Sequence, residues 1–464
     1  MVFATFFIDG KHGLNAAHCV FGVFKVMFYM GRTERIRRRK NLNQFSMDYD
    51  LKIINLKKWL NRLGWKNDTK LKLTHFKDTG RGILSKLKIS PNDKLVSIPY
   101  EAMITYISFE ETKLYDILKK FPKMLSTEEA FTIFMCLEDH KGDDSKWKIY
   151  LDSLPEESLL PLVPWGLNNE EYHLIPDEIL RKINKYLFII DKFSDKIKNI
   201  LTEFNCECCN RNFNQIITRE KLYKNYVLFM TRCFYLNYKV LKHFSKRYNF
   251  EKLFIDEPNM VLCPLLDMFN HSSETDDELK FEKINENSYL NVITKNTFSK
   301  NSQLFFCYGK HDNLSLFCYY GFYLDKNPLD FIEFTNDDVQ LLFENIKVNE
   351  EKVRFIKAKN INENLIWHLN EPTFNLLTIS YIISTRDTQW KTKVYDDFNE
   401  VDLKLISNVL KILINRRIDY IQERTQQMEM MIENKSECLL FLINFCKHRL
   451  NIMRNIVITQ LKNC

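Results

Sequence analysis

The sequence predicts an α+β fold, with short strands gathered at two places along the chain and helices filling the stretch between them and the C-terminal part. Three observations predict it. Apolar and polar residues alternate in Leu71-Lys-Leu-Thr-His75 and Lys94-Leu-Val-Ser-Ile98, the period of a half-buried strand. Two apolar runs near the middle, Leu262-Cys-Pro-Leu-Leu-Asp-Met-Phe-Asn-His271 and Leu304-Phe-Phe-Cys-Tyr-Gly-Lys-His-Asp-Asn313, end in polar side chains, as strands do when a sheet edge presents chemistry. Residues 109–260 and 331–464 are charged, poor in glycine and apolar at helical spacing.

The elements follow in order. Residues 1–30 are mostly apolar, but Asp9, Lys11 and Lys25 interrupt them, which is a poor fit to a signal peptide. Six of the nine residues Arg32–Lys40 are basic; this suits nuclear import, an electrostatic arm, or a solvated tail. Leu51, Ile54, Trp59, Leu60 and Leu63 mark a helix. Gly80-Arg-Gly-Ile-Leu84 falls between the two strand runs and reads as a turn. Ser126-Thr-Glu-Glu129 has the form of a capping box and opens a helix to about His140. Trp147-Lys-Ile-Tyr150 reads as core packing, and Lys221–Leu241 as a further helix carrying Arg232.

Composition narrows the classes. With 464 residues, 45% hydrophobic and 27% charged, the chain is globular and long enough for two or three domains. Its net charge of +7 suits an acidic or nucleosomal surface without demanding one. No run approaches the roughly 20 apolar residues of a spanning helix. The 12 cysteines are scattered, so a reducing compartment is expected and no disulfide framework. Cys206-x-Cys208-Cys209 has spacing that zinc accepts, but no fourth ligand is evident at plausible spacing; loop cysteines without a metal are the expectation.

Taken alone, an Asn-His pair is usually a hydrogen-bonded structural pair and Tyr-Gly a strand end. Together and in this order, Asp267-x-x-Asn270-His271-Ser272, Tyr308-Gly-x-His-Asp-Asn313 and Tyr320-Gly-Phe322 resemble the C-terminal half of a SET domain. They are similar to the branch that includes the plant Rubisco large-subunit lysine methyltransferase. The glycine pair before Ile98-Pro99 and the Trp147 and Leu151-Asp-Ser-Leu-Pro155 runs resemble the same branch, and the resemblance covers most of residues 31–330.

The resemblance implies a SET domain over 51–330, split by a helical insert at about 109–225. A helical substrate-binding domain would follow over 331–464, and a disordered basic segment, 1–50, would precede. The run from Met30 resembles the start of the family's proteins, so residues 1–29 are expected to be a gene-model extension. It implies an S-adenosylmethionine-dependent protein-lysine methyltransferase, with Gly82, Ile83 and Leu84 along the methionine moiety and Arg232 on the cofactor's carboxylate. Asn270 would lie near its amino group and His271 near its adenine through main-chain contacts, with Asp267 a further binding candidate. Tyr308 would be the catalytic residue and touch the cofactor; Tyr320 would line the pocket of the target lysine. The apolar residues before Tyr308 and after Asn313 would shape a narrow channel. No metal is expected, since no cysteine lies between Cys318 and Cys438, where many relatives carry a zinc segment. The expected partner is a histone or non-histone protein, with nucleosome contact through the basic segment, no membrane, a monomeric state, and a nuclear and cytoplasmic location. The same fold methylating histidine, or a catalytically idle SET fold that binds a protein, are the alternatives.

Overall fold

The computed structural model describes residues 44–66, 70–155, 169–284, 286–346, 348–395, 398–431 and 437–461. The proposed start at Met30 and the basic run Arg32–Lys40 lie outside these residues. The chain divides into two compact units, one within residues 1–160 and 185–310, the other within 161–184 and 311–464.

In the first unit, β1 (Gln44–Ser46) leads to helix α1 (Leu51–Arg62), whose Asp50 side chain caps the Lys52 amide. Then come β2 (Leu71–Phe76), β3 (Gly80–Ser85) and β4 (Lys94–Pro99). The glycine run expected as a turn is therefore itself a strand, paired with β2 from Leu71↔Ser85 to Phe76↔Gly80. The reversal is made by Lys77–Thr79 and by Gly80, whose φ of 71° suits a residue without a Cβ.

Helices α2 (Lys113–Lys120), α3 (Thr127–Lys141), α4 (Lys148–Ser153), α5 (Asp177–Leu201), α6 (Phe213–Ile216) and α7 (Arg219–Met230) follow. The first two turns of α5 belong to the second unit. The capping box forms as expected: the Ser126 amide donates to Glu129 Oε2 at 2.8 Å and the Glu129 amide to Ser126 Oγ at 3.3 Å. Such a cap contributes about 1 kcal/mol. Helix α3 is buried from Ala130 to Glu138, so it is the core of the insert, with Phe131 stacked on Phe229 of α7 at 4.5 Å.

Helix α7 ends at Met230, not near Leu241. Thr231 turns its hydroxyl back onto the Val227 carbonyl at 2.8 Å, and Cys233–Tyr235 forms β5, antiparallel to β6 (Met260–Leu262). A run with two aromatic residues takes a strand partner where one is at hand, and that tertiary pairing overrides the helical spacing.

Strands β7 (Asn270–His271), β8 (Asp277–Ile284), β9 (Asn287–Thr294) and β10 (Gln303–Phe306) complete two sheets. One has the order β1-β2-β3-β10-β7, the other β4-β9-β8.

The second unit begins at 311 rather than 331 and takes in residues 161–184; it is mainly helical and adds a two-stranded ribbon of β11 (Phe331–Glu333) and β12 (Ile366–His368). Its main helices are α8 (Asn336–Ile346), α9 (Glu350–Ala358), α10 (Phe374–Ser384), α11 (Glu400–Met430) and α12 (Glu437–Thr459). Phe317 stacks on Phe445 of α12 at 4.1 Å, and Leu314, Leu316 and Cys318 are buried beside it in sequence. The apolar run after Asn313 thus packs into this unit's own core; the expected channel-lining role does not fit a buried, stacked Phe317. Asn313 is fully buried, with its side chain bonded to Asp330 and to both main-chain groups of Leu324. No described helix is long and apolar enough to cross a membrane.

Candidate active site

The site grows from a change of partner along β10. Gln303 and Leu304 pair with Leu84 and Ile83 of β3, antiparallel. The next two residues, Phe305 and Phe306, pair instead with Asn270 and His271 of β7, in parallel. From Gly82 back to Gly80, β3 therefore has no main-chain partner on that side among the described residues. The Asn270 side chain takes over, donating from Nδ2 to the Arg81 carbonyl at 3.0 Å. This needs Gly82: a Cβ there would lie 2.7 Å from Asn270 Nδ2 and 2.8 Å from Gln303 Nε2, inside any allowed contact. Ile83 and Leu84 are buried.

Crossing of these segments brings Tyr308 back to the Asn270-His271 pair. The Tyr308 amide donates to His271 Nδ1 at 3.1 Å, and the two rings are 5.2 Å apart between centroids. The Tyr308 hydroxyl donates to the Phe269 carbonyl at 2.5 Å. Burial of that hydroxyl pushes the phenol up to about 12, so it is a proton donor at every ordinary pH. The fold thus brings Asn270, His271 and Tyr308 together from segments 37 positions or more apart.

The β5–β6 ribbon places the next pair. Arg232 precedes β5, and Asp267 follows β6 through a turn in which Leu265 has φ 73° and ψ −41°. A branched residue is strained there, at a cost of about 1–3 kcal/mol. Asp267 lies in a 3₁₀ turn, Leu266–Met268, ahead of a strand. Arg232 Nη1 donates to the Asp267 carbonyl at 2.9 Å and lies 3.5 Å from Asp267 Oδ2. Tyr150 of α4 donates its hydroxyl to the same Oδ2 at 3.0 Å. Tyr150 is core, as expected, and also polar in its role. Burial raises the Asp267 carboxyl even against Arg232 and Arg81.

Arg81 was not anticipated. It sits between two glycines in a run read as a turn, and its Nη1 donates to the Ser153 carbonyl at 2.7 Å. Burial, then the neighbouring Arg232, lowers it to about 10. Three buried polar atoms here have no partner among the described residues: Arg81 Nη2, Arg232 Nε and Asp267 Oδ1. Two guanidiniums around one carboxylate, with donors left over, form a net-cationic cradle suited to a carboxylate-bearing ligand. Tyr320 belongs to the second unit, at the end of a π-helical turn, Leu316–Tyr320, where its ring lies 5.5 Å from that of His311.

Comparison with known proteins agrees with this architecture. The SET domain profile matches residues 80–309, from the first residue of β3 to the residue after Tyr308. The chain is 26% identical over 418 residues to SET domain-containing protein 4 of Artemia parthenogenetica, covering 86% of this chain and 96% of that one. It is also 26% identical over 383 residues to SET domain-containing protein 4 of Homo sapiens, covering 80% and 83%. Among solved structures, the SET domain of LSMT bound to lysine and AdoHcy superposes with a TM-score of 0.56 at 16% identity, covering 89% of this chain and 92% of that one. Residues 80–309 of this chain are a SET domain.

Proposed function

We propose that this chain is an S-adenosylmethionine-dependent protein-lysine N-methyltransferase. The observation that carries the reading is the Tyr308 hydroxyl, held against the Phe269 carbonyl beside the Asn270-His271 pair. The relative solved with lysine and AdoHcy in its SET domain supports the class. S-adenosylmethionine, when bound, supplies an electrophilic methyl on a sulfonium. Arg81, Arg232 and Asp267 have the unpartnered atoms to hold its charged amino-acid end, and the Gly82 main chain allows close approach.

The remaining work falls to positioning. A free lysine has a pKa of about 10.4 and arrives protonated; a desolvated site beside a cation favours its neutral form. Tyr308 stays protonated, so it does not remove that proton. Its oxygen and the Phe269 carbonyl are acceptors for the N–H groups of the neutral amine, which leaves the lone pair free to face the methyl. Orientation of this kind supplies several kcal/mol of barrier lowering.

The finer reading is a histone or non-histone protein lysine, with the enzyme in nucleus and cytoplasm as a monomer. It rests on the basic run Arg32–Lys40 as a contact for nucleosomes and import. The test is transfer of tritiated methyl from S-adenosylmethionine to nuclear and cytosolic extracts, followed by identification of the labelled protein and residue. Tyr308→Phe is expected to lower kcat roughly 100-fold with its fold intact; full activity in that variant overturns the assignment. Label found on histidine would leave the fold and correct the acceptor.

A further inference from the structure

We propose that the helical insert holds a structural zinc ion, bound by His140, Cys206, Cys208 and Cys209. The sequence speaks against a metal because the cysteine cluster has no fourth ligand near it. The fold supplies one from 69 positions before Cys209: the imidazole of His140, in the last turn of α3. The four donor atoms lie within 4.8 Å of one another. His140 Nε2 is 3.3 Å from Cys209 Sγ and 3.5 Å from Cys208 Sγ, and Cys206 Sγ is 3.0 Å from Cys208 Sγ. Ligands on one tetrahedral zinc, with bonds of about 2.0–2.3 Å, stand roughly 3.5–3.8 Å apart. The quartet needs only small adjustments to reach that, and all three thiols are free of disulfides.

The turn that carries the cysteines is built for such a site. The Cys206 amide donates to the Arg211 carbonyl and the Asn210 amide to the Cys206 carbonyl, both at 2.9 Å. Asn210 takes the left-handed conformation, φ 57°, that closes this turn. Asn212 pins its base by donating to the Thr202 and Phe204 carbonyls. Arg211 Nε points at Cys209 Sγ from 3.4 Å. Three thiolates on a divalent ion leave one negative charge, and a guanidinium on a ligand sulfur is the outer partner such a charge calls for. Three soft sulfurs and an imidazole select zinc over hard cations.

The ion would staple the end of α3 to the turn between α5 and α6. Helix α3 packs on α7, with Phe131 on Phe229 and the Asn225 amide on Cys136 Sγ at 3.3 Å. Helix α7 ends two residues before Arg232. The staple therefore braces the helices from which that arginine is presented. The inference stands apart from the methyltransferase reading, since it draws on none of the candidate active-site residues.

The test uses the full chain purified without chelator or affinity metal. Elemental analysis is expected to find about one zinc per chain. Cobalt exchange should give the intense visible bands of a tetrahedral thiolate site. Cys209→Ser and His140→Ala should each lose most of the zinc and lower the melting temperature. Protein that retains no zinc after purification from zinc-rich medium, and shows no cobalt bands, overturns the proposal without reliance on any variant. So does mass-spectrometric detection of a native disulfide among Cys206, Cys208 and Cys209.

Discussion

Two buried charge clusters, one in each unit, use the same residue types and come out opposite. In the second unit, Glu178 receives Arg449 on both oxygens, at 3.1 and 3.4 Å, and Arg417 at 3.3 Å. Arg449 spends its remaining donors on Asp330 and the Phe331 carbonyl. Burial would raise the Glu178 carboxyl, but Arg449 and Arg417 overcome it and hold it at about 2. In the first unit, Asp267 shares its surroundings with Arg232, Arg81 and Tyr150, yet its carboxyl is raised, and atoms on both sides of the charge balance lack partners. In the second-unit cluster only Arg417 Nε lacks a partner among the described residues, and every oxygen of Glu178 and Asp330 is bonded; a network whose carboxylates are satisfied internally rigidifies a core. One that stops short of satisfaction is kept for something that completes it. The contrast marks Glu178–Arg449–Asp330 as architecture and Arg81–Arg232–Asp267 as a binding cradle.

The largest expected effect comes from breaking the satisfied cluster. Arg449→Met leaves Glu178 and Asp330 short of their main counter-ion, and such a loss costs about 3–5 kcal/mol. Chemical denaturation should show it as a fall in unfolding free energy. An unchanged midpoint would remove the contrast at its root.

Acid tests the same cluster without a mutation. Glu178 titrates at about 2 when folded, against its ordinary 4.5. A depressed carboxylate contributes stability that is present above the unfolded value and lost as pH falls through the folded one. Between pH 4.5 and 2 the protein should therefore lose about 3 kcal/mol through this group. Asp267 has the reverse sign: its raised carboxyl gives stability that declines as pH rises above 3.8. Glu178→Gln should flatten the acid limb of a stability-against-pH curve, and a curve of unchanged steepness would assign that limb to other groups.

The two clusters were also unequally legible in the sequence, and the reason is physical. Local chemistry announces itself: the Ser126–Glu129 box, the alternation of β2 and β4 and the periodicity of α1 all appear where their residues imply, because each involves neighbours along the chain. Asn270, His271 and Tyr308 were visible only as a resemblance, since nothing within either run says that β10 changes partner between Leu304 and Phe305. Arg81 was hidden by its glycine neighbours, which read as a turn. Tyr150 and Asp267 are 117 positions apart, and Glu178 and Arg449 are 271 apart; no spacing rule joins residues at such distances. His140 was missed for the same reason. Arg232 was found on a helix that in fact stops two residues earlier, because the strand pairing that stops it lies about 30 positions further on.

The cradle should respond differently from the core. Arg232→Met keeps the buried stem and removes the donors, while Asp267 retains Arg81 and Tyr150. Charge-assisted hydrogen bonds are worth about 1.5–3 kcal/mol, so the KM for S-adenosylmethionine should rise roughly 10- to 100-fold with a much smaller change in unfolding free energy. A loss of stability as large as that of Arg449→Met, with KM unmoved, would make the first-unit cluster architecture too.

The finest discrimination concerns Tyr150, which touches the cradle only through Asp267. Its phenol is raised well above the ordinary value by burial and by the Asp267 charge, so it remains a donor throughout the working range of pH. Tyr150→Phe deletes that one donor from Oδ2 and leaves the packing of a fully buried ring. The loss of a single such bond costs about 1 kcal/mol. It acts on Arg232 at one remove, by letting the carboxylate it is bonded to turn. The expected signature is a KM for S-adenosylmethionine raised several-fold at constant kcat, because the hydroxyl of Tyr308 and its carbonyl partner are untouched. A drop in kcat at constant KM would mean that Tyr150 reaches the reacting groups, and the line drawn here between holding the ligand and aiming the amine would have to move.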